Sequence, residues 1–178
     1  SPYSASKASS DHLVRAWNRT YNLPTVITNC SNNFGPNQHK EKLIPKTIIS
    51  LLENKEISIY GNGKNKRDWI YVEDHITALI EILKFSKSGS KYNISTGKSI
   101  ENIFVVKKIC NFLDKKFYKN KKNSFSKNIS FVKDRPGHDL IYSINCSKIF
   151  KDYKWKAETP FNKALEKTID WYISNYKL

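Results

Sequence analysis

Near its start the chain carries Tyr3 and Lys7, four residues apart in Ser1-Pro2-Tyr3-Ser4-Ala5-Ser6-Lys7. On a helix that spacing is about 6 Å along the axis and keeps both side chains on one face, so the two heads can reach one ligand. A tyrosine phenol, with an ordinary pKa of about 10, is a poor base at neutral pH. A neighbouring ammonium favours the phenolate, which suits such a couple to accepting a proton beside a hydride transfer. By itself the spacing is also that of any solvated helix surface. The second chemical feature is cationic. Of 31 basic side chains only Arg15, Arg19, Arg67 and Arg135 are arginines, and two of these lie in Arg67-Asp68-Trp69 and Asp134-Arg135-Pro136-Gly137-His138-Asp139. A guanidinium fork matches phosphate and carboxylate oxygens pairwise, so these arginines are candidates for an anionic ligand. The alternative is a structural ion pair with Asp68, Asp134 or Asp139. His75 and His138 lack the neighbouring ligand residues of a zinc site, so no metal is expected.

The elements that must position these groups follow from hydrophobic periodicity. Residues 4–21 read as a helix with Val14, Trp17 and Tyr21 aligned, the last two serving the core in preference to a subunit interface, and Leu23-Pro24 stops it. A strand is expected at 25–30, a polar loop from 31 to about 40, and a helix at 43–54 with Pro45 in its first turn. Strand, turn and strand follow at Ile57–Tyr60, Gly61-Asn62-Gly63 and 68–72. A helix at 73–85 carries Ile76, Leu79, Ile80 and Leu83. Lys91–Ile94 is a strand, and another helix begins at Ser99 with Ile103, Val106, Cys110, Leu113 and Phe117. Strands at Ile129–Val132 and 141–145 flank the 134–139 loop. A helical turn near 147–153 precedes a last helix from Pro160 that aligns Phe161, Leu165, Thr168 and Tyr172. Strands alternating with helices make the class α/β.

Composition narrows the function. With 178 residues, 39% hydrophobic and 13% aromatic, the chain can bury a core and is not a disordered polycation. It has no 18-residue apolar run for a membrane span and no apolar signal-peptide core near Ser1. Cys30, Cys110 and Cys146 are odd in number and far apart, which points to free thiols in a reducing cytoplasm. The net charge of +15 invites a nucleic-acid reading, but residues 107–156 hold most of the excess, with 14 basic against 4 acidic side chains, nearly all lysine. A lysine-dominated excess reads as a solvated face, and no nucleic-acid partner is expected. A polyanion-binding module is kept as the remote rival.

Six segments taken together carry a resemblance. They are S-P-Y-S-A-S-K-A-S-S-D at 1–11, N-C-S-N-N-F-G-P at 29–36, E-K-L-I-P at 41–45, Y-G-N-G at 60–63, R-D-W-I-Y-V-E-D-H at 67–75 and D-R-P-G-H-D at 134–139. Over almost its whole length the chain resembles the C-terminal part of the dTDP-glucose 4,6-dehydratases, which are extended short-chain dehydrogenases/reductases. The resemblance implies the C-terminal portion of a Rossmann-like NAD-binding fold plus a small α/β substrate-binding domain. Residues 1–42 would close the Rossmann-like domain, and 43–178 would be mainly the substrate-binding domain with interleaved Rossmann elements. The dinucleotide-binding half would be absent.

The implied reaction on dTDP-glucose oxidises carbon 4 with NAD, eliminates water across carbons 5 and 6, and returns the hydride to carbon 6. The resemblance makes Tyr3 the base and sets Lys7 on the nicotinamide ribose, where it also stabilises the phenolate. It places Asn33 near the nicotinamide and Asn32 near the hexose or its diphosphate. Lys42 and Leu43 match a substrate loop, Ser58 and Tyr60 a strand beside the nucleotide, and Arg67, Asn102, Arg135 and His138 the diphosphate and nucleotide contacts. A homodimer using the Tyr3–Lys7 helix is implied for the full-length enzyme. Another nucleotide-sugar epimerase, dehydratase or decarboxylase of the superfamily is the alternative. Phe34 stands where the family has Tyr, Ser95-Thr96-Gly97 replaces a Gly-Gly turn, and Ile141 replaces an Arg. The six glycines form no phosphate-binding turn, and the family's Thr-Asp-Glu trio for elimination has no counterpart. The chain alone is therefore expected to be inactive.

Overall fold

The computed structural model describes residues 1–118 and 123–176. Lys119, Lys121 and Lys122 of the lysine-rich stretch lie outside the described residues. The first helix, α1 (Pro2–Tyr21), starts where the sequence puts a cap. Ser1 Oγ accepts from the Ser4 N–H at 3.2 Å, Pro2 occupies the first turn, and Asn22 ends the helix in the left-handed region at φ 54.

The strands β1 (Ile27–Cys30) and β5 (Lys91–Ile94) pair in parallel, with Ile27 opposite Lys91. Strand β4 (Lys66–Tyr71) takes three partners. Along its second half β2 (Asn32–Phe34) pairs in parallel, and along its first half lie β6 (Ser99–Glu101), antiparallel, and β8 (Ile141–Tyr142), parallel. Separately, β3 (Ile57–Tyr60) pairs in parallel with β7 (Ile129–Val132). The remaining helices are α2 (Leu43–Leu52), α3 (Val72–Phe85), α4 (Asn102–Phe117), α5 (Ser147–Tyr153) and α6 (Phe161–Asn175).

Two cores result. The larger gathers Ile44, Ile48 and Leu51 of α2, Val106, Ile109 and Leu113 of α4, and Leu165, Ile169 and Tyr172 of α6 against Ile57, Ile59, Trp69 and Tyr71. The smaller packs Ala78 and Ile82 of α3 and Ile149 of α5 on Ile70, Tyr92 and Ile94. Phe34 is fully buried against the rings of Trp69, Tyr71 and Phe161, at centroid distances of 6.3, 5.8 and 5.4 Å. That all-aromatic seat asks for no hydroxyl, which accounts for Phe in place of Tyr.

Four expectations need correction. Residues 32–34, read as loop, form β2, because two asparagines of low strand propensity are carried by their ladder with β4. Ser99–Glu101 is a strand rather than the first helical turn. Helix α4 starts at Asn102, whose N–H donates to Asn65 O at 3.0 Å while the Ile103 N–H donates to Gly63 O at 3.0 Å. That approach requires glycine at 63, at φ +72, since a Cβ there would lie 2.7 Å from Ile103 Cβ. The strand expected at 141–145 stops at Tyr142.

The fourth correction concerns which faces are covered. No residue of α1 is buried; Trp17 is 53% and Tyr21 67% exposed, so neither is core. Polar contacts hold α1 in place: Lys91 Nζ meets Asp11 at 2.9 Å, and Asn18 Nδ2 donates to Leu23 O and Ser88 Oγ, both at 2.8 Å. In α3 the buried face is Ala78 and Ile82, while Ile76, Leu79, Ile80 and Leu83 point outward. The apolar stripe was real, but the sheet takes the adjacent one.

Stability should follow this division. Leu165→Ala, in the larger core, is expected to cost about 2–5 kcal/mol in urea unfolding. Leu83→Ala, at an outward position of α3, should stay within about 0.5 kcal/mol. Equal losses for the two would contradict the assignment of the core.

Candidate active site

A cavity of about 1020 Å³ is bounded by the first turns of α1, by β1 and β5, by Arg67 of β4 and by the 135–139 loop. Tyr3, Lys7, Arg67, Arg135 and His138 all line it. Five residues from three separate segments, singled out for chemistry, therefore share one space. The helix face carrying Tyr3 and Lys7 continues to Asp11, four residues on, which also lines the cavity and pairs with Lys91.

The two arginines are held without carboxylate partners. Arg67 is 9% exposed, and its Nη1 donates to Lys66 O at 2.7 Å. Burial lowers its pKa from the ordinary guanidinium value, with the field of Asp139 acting against that. Among the described residues no acid forms an ion pair with either arginine, and two of the three candidate acids, Asp68 and Asp134, are engaged elsewhere. Asp68 accepts from Ser31 and Thr96. Asp134 accepts from the Arg135 N–H at 2.8 Å and faces His138 Nδ1 at 2.7 Å. Burial works to raise the Asp134 pKa, but the His138 and Arg135 hydrogen bonds outweigh it, and the carboxyl sits below its usual range. A carboxylate only accepts, so His138 carries its proton on Nδ1 in this contact.

Tyr60 joins the group from β3. The Arg135 guanidinium lies 5.6 Å from its ring centroid, and the His138 ring meets it edge-on at 6.2 Å. Strand alternation puts Ser58 on the same outward side, with Ile57 and Ile59 turned to the core. Asn33 sits beside the cavity: its Nδ2 donates to Cys30 Sγ at 3.1 Å and Ser31 O at 3.3 Å, while its buried Oδ1 has no partner.

The structure does not bring the remaining candidates to this cavity. Asn32 is half-buried on β2 opposite Trp69. Lys42 is exposed as the N-cap of α2, and Leu43 in its first turn packs against the larger core. Asn102 begins α4, with a buried Oδ1 lacking a partner. Conversely, sequence reasoning passed over several residues. Asp11 and Asp134 lay inside quoted motifs and were findable by their four-residue spacing to Lys7 and His138. Cys30, Asn93 and Tyr142 line the cavity with no local signal to mark them.

The chain is similar to known proteins over nearly its whole length. The family described as GDP-mannose 4,6 dehydratase matches residues 1–168. The dTDP-glucose 4,6-dehydratase 1 of Escherichia coli K12 is 52% identical over 177 residues, covering 99% of this chain and 48% of that protein. The dTDP-glucose 4,6-dehydratase of Bacillus anthracis, solved in complex with NAD, superposes with TM-score 0.86 at 40% identity, covering 98% of this chain and 53% of that one. The dTDP-glucose 4,6-dehydratase DesIV of Streptomyces venezuelae, also solved with NAD bound, gives TM-score 0.89 at 36% identity, over 98% and 52% of the two chains. The chain thus spans about half the length of the relatives it matches. By its motifs, its α/β fold and a family match from Ser1 through Thr168, it belongs to the GDP-mannose 4,6 dehydratase family.

Proposed function

We propose that this chain supplies the proton-transfer couple and the sugar-nucleotide seat of an NAD-dependent dTDP-glucose 4,6-dehydratase, a hydro-lyase of deoxysugar synthesis. The observation that carries the reading is the convergence of Tyr3 and Lys7 with Arg67, Arg135 and His138 on one cavity. The residues suit one end of NAD: Tyr3 and Lys7 share a helix face at the cavity wall, and the buried Asn33 Oδ1 lacks a partner. For the pyrophosphate the chain's glycines offer no turn, so that part and the elimination acid and base are assigned to the remaining length of the full enzyme.

When bound, NAD supplies the hydride acceptor. Tyr3 as the phenolate takes the proton of the sugar 4-hydroxyl and becomes the neutral phenol, and the Lys7 ammonium favours that phenolate before the transfer and holds the nicotinamide ribose. Arg67 and Arg135 receive the diphosphate. A guanidinium buried without a carboxylate gains most from an arriving dianion, since attraction grows as water is excluded. Tyr60, already against Arg135 and His138, offers a ring to the nucleotide. The reading also assigns substrate contacts to Asn32, Lys42, Leu43, Ser58 and Asn102, best supported at Asn102 by its unpartnered Oδ1. The full enzyme is proposed to be a cytoplasmic homodimer built through α1, which leaves Leu13, Trp17 and Tyr21 exposed. The free thiols of Cys30, Cys110 and Cys146 suit a reducing compartment, and no described helix is long and apolar enough to cross a membrane.

Three outcomes test this. In the full-length enzyme Tyr3→Phe should lower kcat for dTDP-glucose by about 100-fold or more, and near-normal turnover would remove Tyr3 from the chemistry. Arg67→Lys should raise KM for dTDP-glucose roughly tenfold, because an ammonium cannot replace a bidentate fork; an unchanged KM would take Arg67 out of the diphosphate seat. The 178-residue chain alone should give none of the 4-keto product, assayed by its absorbance in alkali. Turnover by the purified chain would defeat the division of labour proposed here.

A further inference from the structure

One buried acid has no part in the chemistry above. Asp68 lies on β4 beside Arg67 and is 0% exposed. Its Oδ1 accepts three hydrogen bonds: from Ser31 Oγ at 3.0 Å, the Thr96 N–H at 3.1 Å and Thr96 Oγ1 at 2.9 Å. Among the described residues its Oδ2 has no partner. The donors come from two other segments. Ser31, itself 4% exposed, is the single residue between β1 and β2, and its N–H donates to Ile94 O at 2.9 Å. Thr96 begins the turn after β5, and its Oγ1 accepts from the Lys98 N–H at 3.2 Å. One oxygen atom therefore ties three segments of the chain together.

Two of those segments also contribute to the cavity lining. Arg67 precedes Asp68 on the strand and turns to the other face, into the cavity lining. Ser31 is flanked by Cys30, which lines the cavity, and by Asn32 and Asn33. The Asn33 amide donates back to both Ser31 O and Cys30 Sγ. We propose that Asp68 is a positioning residue: without touching a ligand, it fixes the β1–β2 junction, and with it Cys30 and Asn33, relative to Arg67 on β4. Removing its oxygen would leave the buried Ser31 hydroxyl and the half-buried Thr96 N–H without their acceptor, while Thr96 Oγ1 keeps Lys98 O at 3.5 Å, so the loss falls mainly on the β1–β2 junction. The inference rests on reading the cavity as the sugar-nucleotide site, but its first test does not use that reading.

In the 178-residue chain, alkylation by iodoacetamide can be followed separately at Cys30 and Cys110 by mass spectrometry. Cys110 is fully buried in the larger core and its thiol is pushed up to about 11 by burial, so its reaction reports unfolding. Asp68→Ala is expected to speed reaction at Cys30 by about threefold or more while Cys110 stays at the wild-type rate. Asp68→Asn, which keeps an oxygen acceptor, should restore Cys30 to within about twofold of wild type. An unchanged Cys30 rate in Asp68→Ala overturns the proposal. So does parallel acceleration of Cys30 and Cys110, which would show that Asp68 merely holds the fold, and so does an Asp68→Asn chain as reactive as Asp68→Ala.

In the full-length enzyme Ser31→Ala, which cuts only the tie to the β1–β2 junction, should lower kcat about fivefold or more with KM for dTDP-glucose within about twofold. Wild-type kcat in Ser31→Ala counts against the inference. Failure of the wild-type enzyme to turn over dTDP-glucose counts against the functional reading alone, and the alkylation rates then decide Asp68.

Discussion

Everything in this molecule is referred to strand β4. Five of its six residues are buried, and it pairs with three other strands. Strand alternation then distributes roles along a short stretch of chain. Trp69 and Tyr71 enter the larger core and Ile70 the smaller one, so a single strand joins two packing units that otherwise share little. At the start of the same strand, Arg67 faces the cavity and Asp68 is engaged by Ser31 and Thr96. A buried strand with partners along its whole length cannot slip in register without exposing all of these at once.

The electrostatics of the cavity follow from where the acids go. Two of the acids nearest the arginines in sequence are occupied by hydroxyl, backbone and imidazole donors rather than by guanidinium. Asp68 serves Ser31 and Thr96, and Asp134 serves His138 and the Arg135 N–H. Arg67 and Arg135 consequently have no carboxylate partner among the described residues, which is what the proposed reading asks of a diphosphate seat. Had either acid turned to its neighbouring arginine, the same sequence would have made a neutral structural pair and a weaker anion site. The net charge of +15 is therefore a poor guide to the function, while the placement of two arginines is a good one.

The outward faces of α1 and α3 have the reverse character. Both have the periodicity of core helices, yet Trp17, Tyr21, Ile76, Ile80 and Leu83 are exposed. Parallel strands are ordinarily covered on both faces and extended at their edges, whereas β1 and β5 form a pair of two. Of these surfaces, the outward face of α1 is the one that the proposed reading gives to a second copy.

How much of this was legible in the sequence differs from residue to residue. The Ser1-Pro2 cap, the Tyr3–Lys7 spacing and the periodicity of α4 and α6 depend on interactions within four residues along the chain, and they were readable there. The conjunction of Tyr3, Lys7, Arg67, Arg135 and His138 was suggested by motifs, but nothing local required those side chains to meet. Strands β2 and β6 were missed because Asn-Asn and Ser-Ile-Glu have weak propensity, and they exist through ladders with residues dozens of positions away. The side of α3 that would be buried, and the partners that Asp68 and Asp134 would choose, were likewise undetermined. What the sequence alone determined was residue chemistry and local periodicity, whose energetics are set by near neighbours. Which stripe is covered and which acid leaves its arginine free are decided by long-range pairing with β4, and only the tertiary structure could show that.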